Sequence, residues 1–183
     1  MERFDVVVIG AGPGGYPAAI RAAHLGASVA IVERDRFGGT CLNYGCIPTK
    51  TLIASAETFA HIHDAAAFGV SVSGATFDYG AMVRRKDKVV DQLCGGVKLL
   101  LAANGVKSFS GAAAFKDRET IVVDGDLAIG AKKTIIATGS TSATPGFIPA
   151  HARIVESRGF LALDRLPNSM IVLGGGFIGC EIA

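Results

Sequence analysis

The pattern that most restricts this chain is a short apolar run, Phe4 to Ile9, leading into Gly10-Ala11-Gly12-Pro13-Gly14-Gly15 and then an Ala-rich helical stretch to about Leu25. A second β-rich run, Ser28 to Val32, follows, so the opening reads as a β-α-β unit. Gly10, Gly12 and Gly15 form G-x-G-x-x-G between strand and helix. The three glycines serve in turn a tight turn, close backbone approach to a pyrophosphate, and close helix-to-strand packing. The helix start then offers unpaired N–H groups and a favourable dipole to an anion. Glu33 closes the second strand, where a carboxylate can accept hydrogen bonds from a ribose hydroxyl.

Hydrophobic residues make up 50% of the chain and Gly reaches 24 of 183 residues, which suits an α/β fold with a sheet covered on both faces. The net charge of +2, from scattered acidic and basic residues, gives no field that points to nucleic acid or an anionic membrane, and neither is expected as partner. Apolar stretches break before the roughly 18 residues of a bilayer span. The N-terminus lacks the pattern of a secretory signal. A cytoplasmic protein is therefore expected, or a matrix protein whose targeting segment is absent. In such compartments a close cysteine pair is more often catalytic or metal-binding than structural.

That pair is Cys41 and Cys46, in Gly38-Gly39-Thr40-Cys41-Leu42-Asn43-Tyr44-Gly45-Cys46-Ile47-Pro48-Thr49-Lys50. In one ideal helix their Cα atoms would stand about 8–9 Å apart, beyond the roughly 7 Å that a disulfide tolerates. A bonded pair therefore requires Cys41 in a loop or distorted turn, with Gly39 and Gly45 supplying the unusual backbone. A thiol at a helix start is favoured as thiolate and hence reactive. No second Cys or His pair has zinc-site spacing, and no metal is expected.

Further along, helices are expected from about Pro48 to Ala65 and from Tyr79 to Ala103, the latter stopped by Asn104-Gly105. The runs Val106–Ser110, Ala113–Lys116, Thr120–Val123, Leu127–Ile129 and Thr134–Ala137 read as a small antiparallel meander returning to the main sheet. Thr138 to Phe147 is turn-rich. Ser169 to Leu173 reads as a new strand before Gly174, Gly176 and Gly179, a second G-x-G-x-x-G opening a helix. Cys94 and Cys180 are expected as small core residues, and Arg84-Arg85-Lys86-Asp87-Lys88 as a solvated helix face.

With these motifs in hand, the whole chain resembles the pyridine nucleotide-disulfide oxidoreductases. The cysteine motif carries the most specific part of the likeness, joined by Ala137-Thr138-Gly139 and the second glycine turn. The departures are Tyr44, where Val is more usual, and Thr49, where Ser is more usual. The resemblance implies a doubly wound, Rossmann-like FAD-binding domain over 1–143 with a redox-active disulfide, a linker over 144–168, and the first strand-turn of an NAD-binding domain over 169–183. It implies catalytic roles for Cys41 as interchange thiol, Cys46 as flavin-side thiol, and Lys50 paired with Glu181. FAD would lie along Gly10, Gly12, Pro13, Gly14 and Gly15, with Glu33 and Arg34 beyond. Gly39, Thr40, Cys41, Lys50 and Ala113 would complete its surroundings together with Ala137, Thr138 and Gly139. NAD would lie at Gly174, Gly176 and Gly179.

The start of the first helix and the Ile47-Pro48-Thr49-Lys50 segment look closer to the lipoamide branch of the family. This implies dihydrolipoamide on a lipoyl domain of a 2-oxo acid dehydrogenase complex as partner, and a homodimer. A mercuric or glutathione-type reductase of the same family, and a flavin-binding module whose disulfide is structural, remain open alternatives. The family's acid/base His-Glu pair has no match here, so the 183-residue chain alone is expected to lack turnover.

Overall fold

A computed structural model describes all 183 residues, Met1 to Ala183. The element order is β1 (Glu2–Ile9), α1 (Tyr16–His24), β2 (Val29–Glu33), α2 (Gly39–Tyr44), α3 (Cys46–Asp64) and a 3-10 turn (Ala65–Phe68). Then come α4 (Tyr79–Ala103), β3 (Lys107–Ser110), β4 (Ala113–Phe115), β5 (Thr120–Val123), β6 (Leu127–Ile136), α5 (Ser157–Leu161) and α6 (Phe177–Ile182). The chain divides into two units, 1–43 with 91–142, and 44–90 with 143–183.

The first unit holds one six-stranded sheet in the order β3-β2-β1-β6-β5-β4. β1 lies parallel to β2 and to β6, β2 lies parallel to β3, and the β4-β5-β6 portion is antiparallel. The anticipated α/β architecture is present, with the meander joined to the parallel sheet through β6. Two expectations change. The 106–110 run pairs in parallel with β2 instead of joining the meander, because its register sets Glu33 opposite Ser110. The two runs anticipated over 127–129 and 134–137 are a single strand: β6 pairs with β5 from Leu127 to Gly130 and with β1 from Ile129 to its last residue, Ile136. Such continuous pairing carries the strand straight through Lys132 and Lys133.

β2 is buried at all five positions, as a central strand covered on both faces must be. Alternate residues of its neighbours build one core layer: Val7 and Ile9 from β1, Ala30 and Val32 from β2, Ile121 and Val123 from β5, and Ile129 and Ala131 from β6. At the N-terminal ends of β1 and β2, the Asp5 carboxylate accepts from the Ser28 N–H at 2.9 Å, the Ser28 hydroxyl at 2.7 Å and Lys132 Nζ at 2.7 Å. The Lys132 and Ser28 contacts hold that carboxyl well below the usual range.

The second unit is helical. Its 169–173 segment, read as a strand from sequence, has no strand geometry. A strand exists by pairing, and this unit contains no other strand. Cys180 is correspondingly exposed rather than in a core, as are Phe177 and Ile178 beside it on α6. Lys86 also departs from expectation. It is buried, and its Nζ donates to the Leu161 carbonyl at 2.9 Å, while Arg85 donates to the Thr51 carbonyl at 3.1 Å. The long basic side chains thus serve as ties to backbone oxygens. No helix is long and apolar enough to cross a membrane.

Candidate active site

The site begins where β1 ends. Gly10 has φ +99°, and a Cβ there would stand 2.2 Å from the Ala137 carbonyl oxygen. A Cβ on Gly15 would stand 1.8 Å from the Gly10 carbonyl oxygen. Neither position accepts any side chain, so the turn closes by backbone resting on backbone. Gly39 has φ +59°, and a Cβ on it would meet the Gly12 Cα at 2.5 Å. The segment that leads into Cys41 therefore rests directly on the glycine turn. The Gly38 N–H donates to the Ala11 carbonyl at 2.8 Å, and the Ala137 N–H to the Ile9 carbonyl at 2.8 Å. So the 10–15, 38–39 and 137–139 segments converge at the C-terminal edge of the sheet. Gly139 turns the chain away there with φ +70°.

The start of α1 carries no side-chain cap at Gly15 and no acidic residue in its first turn. A helix start free of acidic side chains, beside a surface that excludes side chains, suits a phosphate. The residues present thus fit a dinucleotide pyrophosphate along Gly10, Gly12, Pro13, Gly14 and Gly15. Glu33, only 8% exposed, adds a contact that the sequence did not disclose: its carboxylate accepts from the Ala11 N–H at 2.7 Å and from the Asp35 N–H at 2.9 Å. It pins the turn as well as presenting an acid at the strand end. Glu33→Ala is accordingly expected to cost about 1–3 kcal/mol of stability by leaving buried N–H groups unmatched. Urea titration checks this, and an unchanged midpoint would show that the turn stands without it.

Arg34 is exposed just past β2. Ala113 is half-buried at the start of β4, opposite Val123. The turn before Ala113 is moored beside the end of β2, since the Gly111 N–H donates to the Glu33 carbonyl at 2.8 Å. Gly111 fits only as glycine: its φ is +144°, and a Cβ would stand 2.4 Å from Asp124 Oδ2.

Cys41 is half-buried within α2, which also contains Thr40, and Cys46 is exposed as the first residue of α3. The chain is not one helix through the motif. Gly45, at φ −144° and ψ −108°, breaks it, and α3 starts two residues earlier than the sequence suggested. Cys41 thus lies in the six-residue α2 and Cys46 opens the nineteen-residue α3, with Gly45 between them. Thr49, the residue that departs from Ser, keeps the useful hydroxyl: Oγ1 donates to the Gly45 carbonyl at 2.7 Å and secures the first turn of α3. Tyr44, the other departure, lies under the Arg158 guanidinium, 3.5 Å from the ring centroid.

One turn further into α3, Lys50 Nζ donates to Glu181 Oε1 of α6. Their side chains are 58% and 32% exposed, so this pair adds little to folding. Glu181→Gln should shift the unfolding free energy by less than about 1 kcal/mol, measured by thermal melting, and a larger loss would mean that the pair supports α6. The second glycine turn repeats the first. Gly174 has φ +116°, and a Cβ on Gly179 would stand 2.1 Å from the Gly174 carbonyl oxygen. Gly176 precedes α6 with no side-chain cap.

The match to known proteins fits this geometry. The family model described as pyridine nucleotide-disulphide oxidoreductase matches residues 4–183. The chain belongs to this family. Among relatives of this chain, the dihydrolipoyl dehydrogenase of Acholeplasma laidlawii is 44% identical over 188 residues, covering 100% of this chain and 56% of that protein. That of Chlamydia muridarum is 46% identical over 187 residues, covering 100% and 40%. Among solved structures, the HOCl-induced flavoprotein disulfide reductase RclA from Escherichia coli superposes with a TM-score of 0.81 at 33% identity, covering 97% of this chain and 38% of RclA. The chain therefore spans about half the length, or less, of the relatives it matches.

Proposed function

We propose that this chain is the flavin-binding front portion of a dihydrolipoyl dehydrogenase, passing electrons between dihydrolipoamide and NAD through Cys41 and Cys46. The observation that carries the reading is the seating of Gly39 on Gly12: the segment bearing the reactive thiol and the turn shaped for a dinucleotide are one piece of structure. The names borne by relatives at 44–46% identity point to the lipoamide substrate.

Residues 1–143 then bind FAD, 144–168 link, and 169–183 open an NAD-binding domain. Gly10, Gly12, Pro13, Gly14 and Gly15 would hold the FAD pyrophosphate, Glu33 and Arg34 its ribose side, and Ala113 its adenine. Thr40, Lys50, Ala137, Thr138 and Gly139 would complete the enclosure, and Gly174, Gly176 and Gly179 would hold the NAD pyrophosphate. Bound FAD supplies the acceptor that re-forms the Cys41–Cys46 bridge, and NAD the final acceptor.

In the bridged state a substrate thiolate attacks Cys41 Sγ, the S–S bond breaks, and Cys46 leaves as a thiolate. The second substrate thiolate attacks the sulfur of the mixed disulfide that belongs to the substrate. Cys41 is released as a thiolate, and the substrate departs as a cyclic disulfide. Two electrons have passed to the cysteine pair, and two protons from the substrate dithiol have been taken up by base. Lys50, paired with Glu181, stands one turn after Cys46 on α3.

The same reading assigns a lipoyl domain of a 2-oxo acid dehydrogenase complex as partner, a homodimer as the assembly and the cytoplasm as location. Steady-state assays of the full-length protein test it, with dihydrolipoamide and NAD, oxidised glutathione and NADPH, or mercuric ion and NADPH. NAD reduction by dihydrolipoamide as the dominant activity supports the assignment, and dominance of either other pair overturns the substrate.

A further inference from the structure

Asn43 is only 7% exposed and spends its amide nitrogen on the turn that carries Cys41. Its Nδ2 donates to the Phe37 carbonyl at 3.1 Å and to the Gly39 carbonyl at 2.9 Å. Its Oδ1 accepts from Cys94 Sγ, on α4, at 3.1 Å. Between the two carbonyls lies a double-glycine corner, Gly38 at φ +96° and Gly39 at φ +59°. The two N–H groups of the Asn43 amide tie together the carbonyls on either side of this left-handed corner. Cys41 stands midway between Gly39 and Asn43, so both ends of its own helical turn are fixed by one side chain.

We propose that Asn43, oriented by the Cys94 thiol, is the positioning residue of Cys41, fixing the α2 turn so that the thiol is presented in a reactive orientation. This rests on the reading of Cys41 as the interchange thiol. Cys94 suits this role because burial pushes its thiol up, keeping it protonated as a donor across the working range. A Cys94 that merely filled space would be indifferent to loss of its S–H, which separates the two roles.

The test is the alkylation rate of Cys41 by limiting iodoacetamide in the flavin-loaded, full-length protein, in a Cys46→Ser background that prevents a bridge from re-forming. Peptide mass spectrometry follows Cys41, with exposed Cys180 as internal reference, from about pH 5 to about pH 9. At neutral pH, Cys41 is expected to react at least about tenfold faster than Cys180. Asn43→Ala should slow Cys41 by about tenfold and move its pH–rate midpoint towards that of Cys180, whose own rate stays fixed. Cys94→Ala should slow it by about threefold, and Cys94→Ser, which restores a donor, should recover the starting rate within about twofold. If Asn43→Ala does not fold, the Cys94 variants decide alone. A fast Cys41 that is indifferent to Cys94→Ala overturns the proposal while leaving the redox reading in place. A Cys41 no faster than Cys180 in the starting protein defeats the redox reading itself, and the proposal with it.

Discussion

Serine in place of Cys41 or of Cys46 is expected to lower dihydrolipoamide-linked NAD reduction by the full-length protein at least about a thousandfold, because an oxygen can neither form the bridge nor leave as a soft anion. The loss should be kinetic. Cys46 is exposed and Cys41 only half-buried, so neither substitution opens a core cavity, and melting temperatures should hold. The two residues act as a unit, so the double variant should be no slower than the worse single one. Stopped turnover in one variant with near-normal turnover in the other would show that the bridge is not on the reaction path.

The second large effect belongs to the glycine turn. Gly15→Ala drives a Cβ to 1.8 Å from the Gly10 carbonyl oxygen, and Gly10→Ala drives one to 2.2 Å from the Ala137 carbonyl oxygen on top of a φ of +99°. Overpacking at both positions, with backbone strain added at Gly10, should remove about 3–5 kcal/mol, a large share of the roughly 5–15 kcal/mol that holds a domain folded. Gly26→Ala is the control: φ is +86° there too, but nothing lies within 4 Å, so only the conformational penalty of about 1 kcal/mol remains. Guanidinium denaturation with tryptic protection would rank the three, and equal midpoints for Gly15→Ala and Gly26→Ala would refute the packing explanation.

The glycine turns and the cysteine motif were legible because each is a local arrangement whose residue spacing encodes its geometry. The β1-α1-β2 unit was equally plain, since a switch of hydrophobic period marks each boundary. What escaped were contacts between segments distant in sequence. Nothing near Glu33 announces that it holds the Ala11 N–H, and nothing near Asn43 announces Cys94. A Lys-rich run is normally solvated, whereas Lys86 is buried with its ammonium on the Leu161 carbonyl. The 169–173 segment has the composition of a strand without a partner, and pairing is a tertiary property that composition cannot supply. Cys180 failed for the same reason, as an apolar neighbourhood in sequence did not become one in space.

The two glycine turns close by the same backbone contact, the last glycine against the carbonyl of the first. On the proposed reading each turn would meet only the diphosphate that dinucleotides share, so neither would tell one from another. Selectivity must therefore be written elsewhere, at strand ends and in neighbouring loops. At the first turn that places the decision with Glu33, Arg34 and the 111–113 corner. Exchanging residues 10–15 with residues 174–179 should leave ligand preference where it was, whereas moving the strand-end residues should carry it along.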